Sequence, residues 1–458
     1  MPSSVILHIE VRLLSSTNIR LDSVSRWVRD WLQDNFISLS ISQEIKSFED
    51  SPLLTEHVES ISVVEATGST DKILYLEKVE LDINAYKLHP RASQTTSLLS
   101  QESTADSEEP PSASVMELPA KALDGLWEFL IFDPDIKTKL LHFISSIRKL
   151  GSYKSLAEDA QIRRLILLHG PPGSGKTSLW YNPCIKKNKW QDLIGYSRAL
   201  AQKLSIRLSK RFSDFQLVEI NSHNLFSKWF SESGKLVGKM FDDISQTLEN
   251  DDTFVVVLID EVESLTSARK SAAGGNEPSD SLRVVNALLT GLDKLRHKKN
   301  VIVLTTSNLL EAMDTAFLDR ADIKQYVNAP TASAIYIILR TCLNELIRCG
   351  LIEEQVFHSL FRFFSWLKCR KRPIPSPEEA RMNIFSQPNA PSSRLWRCAN
   401  ECTSFSGRTL RRLPVLMHAG YIQREKCTLD EALEALGMAV QDVKQEQSAM
   451  CEVSKVVP

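Results

Sequence analysis

Residues 170–177 read GPPGSGKT, a fit to G-x-x-x-x-G-K-[ST], and they lie between the apolar run RRLILLH and helical sequence. Glycines at this spacing let backbone N–H groups turn inward around phosphate oxygens. Lys176 would neutralise the β and γ oxygens, and the Thr177 hydroxyl would hold a magnesium ion. The predicted nucleotide segment is Gly170, Pro171, Pro172, Gly173, Ser174, Gly175, Lys176, Thr177 and Ser178, with ATP as the ligand. A second set of residues follows in TFVVVLIDEVES, where an apolar run delivers Asp260 and Glu261 to the end of a strand. Asp260 can complete the Mg2+ shell with Thr177, and Glu261 can polarise an attacking water. The plain alternative is a pair of solvated acids. In VIVLTTSN, Asn308 is placed to orient water against the γ-phosphate, or simply to cap its strand. In DTAFLDRADIKQY, Arg320 can serve as a charge-stabilising finger toward a neighbour's nucleotide, or be an ordinary surface arginine.

These residues need a rigid frame. RRLILLHG, FQLVEIN, TFVVVLIDE and NVIVLTTSN are continuous β-branched runs, the pattern of strands covered by helices on both faces of a parallel sheet. Beyond Pro330 the strand signals stop. TASAIYIILRTCLNELIRCG, SGRTLRRLPVLMHAGYIQ and TLDEALEALGMAVQDVKQE read as helices of a small all-helical domain. Near the N-terminus, SVILHIEVRLL alternates as a strand, LDSVSRWVRDWL has helical spacing, and DKILYLEKVELDINAYKL is strand-like again. RASQTTSLLSQESTADSEEPPSAS is too poor in apolar residues to offset the entropy of ordering and reads as a linker. The predicted organisation is an N-terminal domain over 1–92, a linker over 93–115, an ATPase domain over 116–330 and a helical lid over 331–458.

Composition narrows the function classes. Among 458 residues, 43% are hydrophobic and 24% charged, as in ordinary globular proteins, and a net charge of −2 gives no reason to expect direct nucleic-acid binding. No apolar run is long enough for a membrane span, and the charged start MPSSVILHIEVRLLSS makes a poor signal peptide. The eight cysteines are scattered. CANEC pairs Cys398 with Cys402 but lacks the second pair that a zinc site needs, so reduced thiols are expected.

Taken together the motifs resemble the AAA+ ATPases. EINSHNLFSKWFSESGKLVGKMF, LIDEVESLTSARK, NEPSDSLRVVNALLT, TTSNLLEAMDTAFLDRADIKQY and SGRTLRRLP look more narrowly like the pachytene checkpoint protein 2 family, also called the thyroid-receptor-interacting ATPases. The resemblance implies an α/β fold: an AAA+ P-loop parallel-sheet domain, a C-terminal helical lid and a small mixed α/β N-terminal domain for substrate recognition. It implies a homo-hexameric ring that uses ATP to remodel HORMA-domain proteins, reached through a HORMA-like adaptor, in meiotic recombination, chromosome-axis remodelling and the spindle checkpoint. The expected location is the nucleus, on meiotic chromosomes, with the cytoplasm also possible. By the same resemblance Arg408 contacts the γ-phosphate in cis, and Trp229 and Phe230 in SKWFSES grip the client chain. An ordinary buried tryptophan is the alternative for Trp229. ARKSAAGGN, residues 268–276, would be a second pore loop or a contact-free surface loop.

One departure bears on catalysis. In the family GKTSL leads almost directly into ALAQKL, whereas here residues 180–197 intervene, with Pro183 where the helix should continue. Proline inside a helix costs roughly 3 kcal/mol. Three readings stand: a solvated loop after which RALAQKL docks as usual, unspliced or mis-joined coding sequence, or a natural inactivating insertion. The last would make the chain a catalytically inactive nucleotide- or partner-binding protein. A DNA-acting ring is disfavoured by charge. A second departure, LIEEQVFHSLFRFFSWLKCRKRPIPSPEEARMNIFSQPNAPSSRLW, reads as an exposed excursion between lid helices.

Overall fold

The computed structural model describes residues 5–69, 71–90, 113–129, 136–137, 139–141, 164–171, 196–222, 233–264, 279–353 and 377–456. Among these, residues up to 127, with 164–168 and 197–324, form one compact unit, and 169–171 with 325–456 belong to a second.

The first unit begins with β1 (Val5–Leu13), helix α1 (Leu21–Asn35), β2 (Ser38–Ser40), β3 (Glu44–Ile45), β4 (Val58–Thr67), β5 (Ile73–Tyr75) and β6 (Val79–Tyr86). The sheet order is β3-β4-β1-β6, with β1 antiparallel to β4 and parallel to β6, while β2 and β5 make a separate ribbon. Helix α1 forms because Val24, Val28 and Leu32 recur every four residues, and all three are buried with Leu7, Ile9 and Val11 of β1.

The second half of this unit is a six-stranded sheet built from β7 (Ala113–Leu118), β8 (Leu165–His169), β9 (Asp214–Asn221), β10 (Thr253–Asp260), β11 (Val301–Ser307) and β12 (Ile323–Tyr326). Its order is β12-β8-β11-β10-β9-β7. Strands β9, β10 and β11 run parallel, and β7 adds antiparallel to β9. The four strands expected from apolar runs are all present. The two edge strands were not expected. β12 is only IKQY, partly exposed and half polar, as edge strands are. β7 starts at Ala113, inside the stretch read as linker, where serines and prolines before it hide a short alternating strand.

Helices α2 (Tyr196–Leu208), α3 (Ser233–Thr247) and α4 (Ser279–Leu295) belong to this half. Phe241 of α3 is fully buried against α4, where a Cβ on Gly291 would meet its ring at 2.4 Å. The close approach of these two helices therefore requires glycine at that point.

Helix α2 carries the sequence RALAQKL and is buried from Ser197 to Leu208. That burial includes charged residues, and β1 explains why. Leu7, Ile9 and Val11 face the N-terminal core, while His8 and Glu10 alternate onto the other face and are buried too. Lys203 of α2 pairs with Glu10 at 2.7 Å and Arg207 with Glu65 at 2.6 Å. Just past the helix, Lys210 pairs with Asp82 at 2.6 Å. Burial pushes the Asp82 carboxyl up, but hydrogen bonds from His8 and Lys210 more than reverse this and hold it well below the usual carboxylate range. Gln202 adds two bonds to the backbone of Ala120, accepting its N–H at 2.9 Å and donating to its carbonyl at 3.1 Å.

The second unit contains α5 (Ala332–Arg348), α6 (Pro377–Ser386), α7 (Pro391–Glu401), α8 (Gly407–Met417) and α9 (Leu429–Val456). Their starts follow capping chemistry. The Thr331 hydroxyl accepts from Ala334 N–H, Ser406 accepts from Thr409 N–H, and Thr428 with Glu431 forms a reciprocal capping box. Two expectations are corrected here. This unit is not wholly helical, because Ile352–Glu353 (β13) and Cys427–Thr428 (β14) pair in parallel. The stretch read as an exposed excursion returns to the core by α7, where Leu395, Trp396 and Ala399 are buried, because apolar residues recur at helical spacing past Pro391. Residues 354–376 lie outside the described set.

Cys342, Cys398, Cys402 and Cys427 are free. Burial pushes the Cys342 thiol up to about 11 and that of Cys402 up to about 12, so neither is a thiolate at neutral pH. Among the described residues no group of His, Cys, Asp and Glu could by itself hold a metal, and no helix is long and apolar enough to cross a membrane.

Candidate active site

β10 is buried from Thr253 to Ile259 and emerges at Asp260, and its neighbour β11 is buried throughout. In register Ile259 lies opposite Thr305, and Asp260 opposite Asn221 of β9. One step past the last β10–β11 pair, the Thr306 hydroxyl donates a short hydrogen bond to the Asp260 carboxylate. The same oxygen accepts the Glu261 N–H at 3.1 Å, and the Thr306 carbonyl accepts the Val262 N–H at 3.0 Å.

The chain turns sharply here. Glu261 has φ 51°, a left-handed conformation that costs a non-glycine residue roughly 1–2 kcal/mol. Serines hold the outer side of the turn: Ser222 donates to the Asp260 carbonyl, and Ser264 donates to that of Glu261 at 2.8 Å. Asn308 completes the arrangement. Its backbone N–H donates to Glu263 at 2.9 Å, and its side-chain amide lies 3.5 Å from the Glu261 carboxylate. Three predicted residues, Asp260, Glu261 and Asn308, therefore meet in one cluster. Thr306, Ser222 and Glu263 belong to it as well, and the sequence reading had passed them over.

An ion pair beside the cluster fixes the helix that follows the insertion. The Arg198 guanidinium forks onto both carboxylate oxygens of Glu219 on β9. Burial pushes the Glu219 carboxyl up and the Arg198 charge pulls it back. Helix α2 is thus docked and anchored, which each of the three readings of the insertion allows, and residues 180–195 lie outside the described residues.

The nucleotide segment enters the description only at its start. Gly170 follows β8 with φ 155°, and a Cβ there would sit 2.3 Å from the Val327 carbonyl oxygen. Val327 in turn donates its N–H to the His169 carbonyl at 2.8 Å. Glycine is required because the backbone of a second segment occupies the side-chain position. Pro171 is described. Pro172, Gly173, Ser174, Gly175, Lys176, Thr177 and Ser178 lie outside the described residues, as do Trp229, Phe230 and residues 268–276.

The two arginines have different settings. Arg320 forks onto Asp293 of α4, at 3.0 and 2.7 Å, and also donates to the Ala316 carbonyl at 2.7 Å. Its head is held in a defined direction by these bonds, and none of them goes to the acids of the cluster. Arg408 is exposed in the first turn of α8, in the second unit.

Known proteins match this architecture piece by piece. The family model described as the TRIP13 N-terminal domain matches residues 2–91. That of the ATPase family associated with various cellular activities (AAA) matches residues 195–329, and the TRIP13-like AAA+ ATPase lid C-terminal domain matches residues 331–444. The pachytene checkpoint protein 2 homolog of Danio rerio is 38% identical over 449 residues, 97% of this chain and 95% of the relative. The chain belongs to the pachytene checkpoint protein 2 family. The Homo sapiens member is 37% identical over 438 residues, 95% of this chain and 92% of that one. The solved structure of C. elegans PCH-2 superposes with a TM-score of 0.67 at 30% identity, covering 96% of this chain and 99% of that chain. As a member of the family this protein is an AAA+ ATPase, an ATP-hydrolysing enzyme with a parallel-sheet domain, a helical lid and an N-terminal domain. The AAA match begins at residue 195, at the far end of the insertion and just before the helix that Arg198 anchors.

Proposed function

We propose that this chain assembles into a homo-hexameric ring and spends ATP on remodelling HORMA-domain proteins, presented by a HORMA-like adaptor. The observation that carries this reading is similarity to pachytene checkpoint protein 2 homologs over nearly the whole length of both chains, N-terminal domain included. The cluster around Asp260 supports it: a carboxylate with a fixed rotamer, a second carboxylate in a strained turn, and an amide beside it make an acid pair suited to metal and water.

Oxygen donors such as Asp260 and Thr177 suit Mg2+, which keeps several waters and is held through one or two protein ligands plus substrate phosphates. Bound there, the ion would shield the phosphate oxygens. Glu261 would take the proton of the attacking water, and Asn308 would hold Glu261 in direction. Arg320 would act from one protomer on its neighbour's nucleotide, exchanging its Asp293 partner for phosphate, and Arg408 would act in cis. Trp229 and Phe230 would grip the client, since flat aromatics offer contact to any polypeptide with little rotamer loss. The site of action would be the nucleus, on meiotic chromosomes, and also the cytoplasm, without direct membrane or nucleic-acid contact.

The test is ATP-driven release of a labelled partner peptide from a closed HORMA-domain protein in the presence of its adaptor. Release is expected with the natural chain and not with Trp229→Ala, whose ATP turnover continues. ATP hydrolysis without any release would remove the HORMA assignment while leaving the ATPase intact.

A further inference from the structure

Glu261 adopts an unfavourable left-handed conformation, with φ 51°. A left-handed non-glycine residue persists only where its surroundings over-determine it. Here one residue on the neighbouring strand makes three of the bonds around the turn. The Thr306 hydroxyl donates to the Asp260 carboxylate and accepts the Glu261 N–H, while its carbonyl accepts the Val262 N–H. Thr306 is buried in β11, only 1% exposed, so no water substitutes for the hydroxyl. Its donor and acceptor roles are mutually consistent: one hydroxyl proton goes to the carboxylate, and a lone pair receives the amide.

We propose that Thr306 is a positioning residue for ATP hydrolysis, which sets the rotamer of Asp260 and the direction of Glu261 together. Both acids hang from one oxygen on the strand that ends just before Asn308, so the two acids share one origin and the amide follows it directly in the chain. The inference rests on the assignment of Asp260 and Glu261 to the chemistry. It goes beyond that assignment in making their geometry depend on a buried hydroxyl of the neighbouring strand. Misplacement of a reacting group by a fraction of an ångström to an ångström costs up to about a hundredfold in rate.

Thr306→Val keeps the shape and the backbone carbonyl but deletes the hydroxyl, and Thr306→Ser keeps the hydroxyl and deletes the methyl. In steady-state phosphate release by the full chain, Thr306→Val is expected to lower kcat about tenfold. KM for ATP should stay within about twofold, because the hydroxyl positions the acids and is not itself assigned to nucleotide binding. Thr306→Ser should return kcat to near the natural value. A natural kcat in Thr306→Val, or an equal loss in Thr306→Ser, overturns the proposal, since the hydroxyl would then not be the determinant. Should the valine chain fail to fold, Thr306→Ala compared with Thr306→Ser decides in the same way. A Glu261→Gln control separates the two levels: turnover surviving in that control would sink the acid assignment itself, whatever Thr306 does.

Discussion

Gly170 opens the nucleotide segment with no room for a side chain: a Cβ would lie 2.3 Å from the Val327 carbonyl oxygen. Backbone cannot move aside as the end of a flexible side chain can, so Gly170→Ala must shift either the loop or the strand end beside it. The expected result is at least about a tenfold loss of ATP affinity, by analogy with small displacements of positioned groups. Titration with a fluorescent ATP analogue checks it, and unchanged affinity would contradict this account of the loop. At this scale the sequence was readable where chemistry coincides with an abrupt end of apolar sequence. Asp260, Glu261 and Asn308 each follow a buried run, and the structure gathers them. Thr306 lies inside such a run, where threonine reads as a β-branched filler, so its hydroxyl bonds to Asp260 and Glu261 gave no separate signal. The direction of Arg320 was equally hidden, because its partner Asp293 comes from a helix that spacing alone cannot bring beside it.

Among the elements, α2 carries more than its sequence RALAQKL would suggest. It is sandwiched between the ATPase sheet, through Arg198 and Glu219, and the charged face of β1, through Lys203 and Glu10. With Lys203 only 3% exposed and Glu10 7%, deleting one partner strands a buried charge. Lys203→Met is therefore expected to cost about 3 kcal/mol of stability. Adding Glu10→Gln should recover most of the loss. Thermal or denaturant unfolding of the two variants reads this, and a Lys203→Met chain as stable as the natural one would show the pair to be solvated. The alternation in SVILHIEVRLL announced a strand with one polar face, and the strand is there. That its polar face would also be buried could not be read locally, because the covering cations come from residues 203–210, far along the chain. The same distance explains the missed edge strands: β7 and β12 are held by neighbours rather than by strong runs of their own.

At the scale of the whole molecule, 97% of the chain aligns with the Danio rerio relative, and one of the two departures read in the sequence follows the phosphate-binding segment. Helix α2 shows how the fold is compatible with that insertion. Arg198, Gln202, Lys203 and Arg207 fasten the resumed helix through side chains, independently of what precedes Tyr196. The domain order and the class of chemistry were legible because buried strands and motif residues are local signals. The proposed ring and its client would depend on surfaces contributed by other chains, which no local pattern describes. The most direct test of the account is phosphate release from ATP by the purified full-length chain, measured beside its Glu261→Gln variant. The account predicts steady turnover by the first, and by the second a loss of at least about a hundredfold with ATP still bound. Equal rates in the two chains, or none in the natural one, would contradict it.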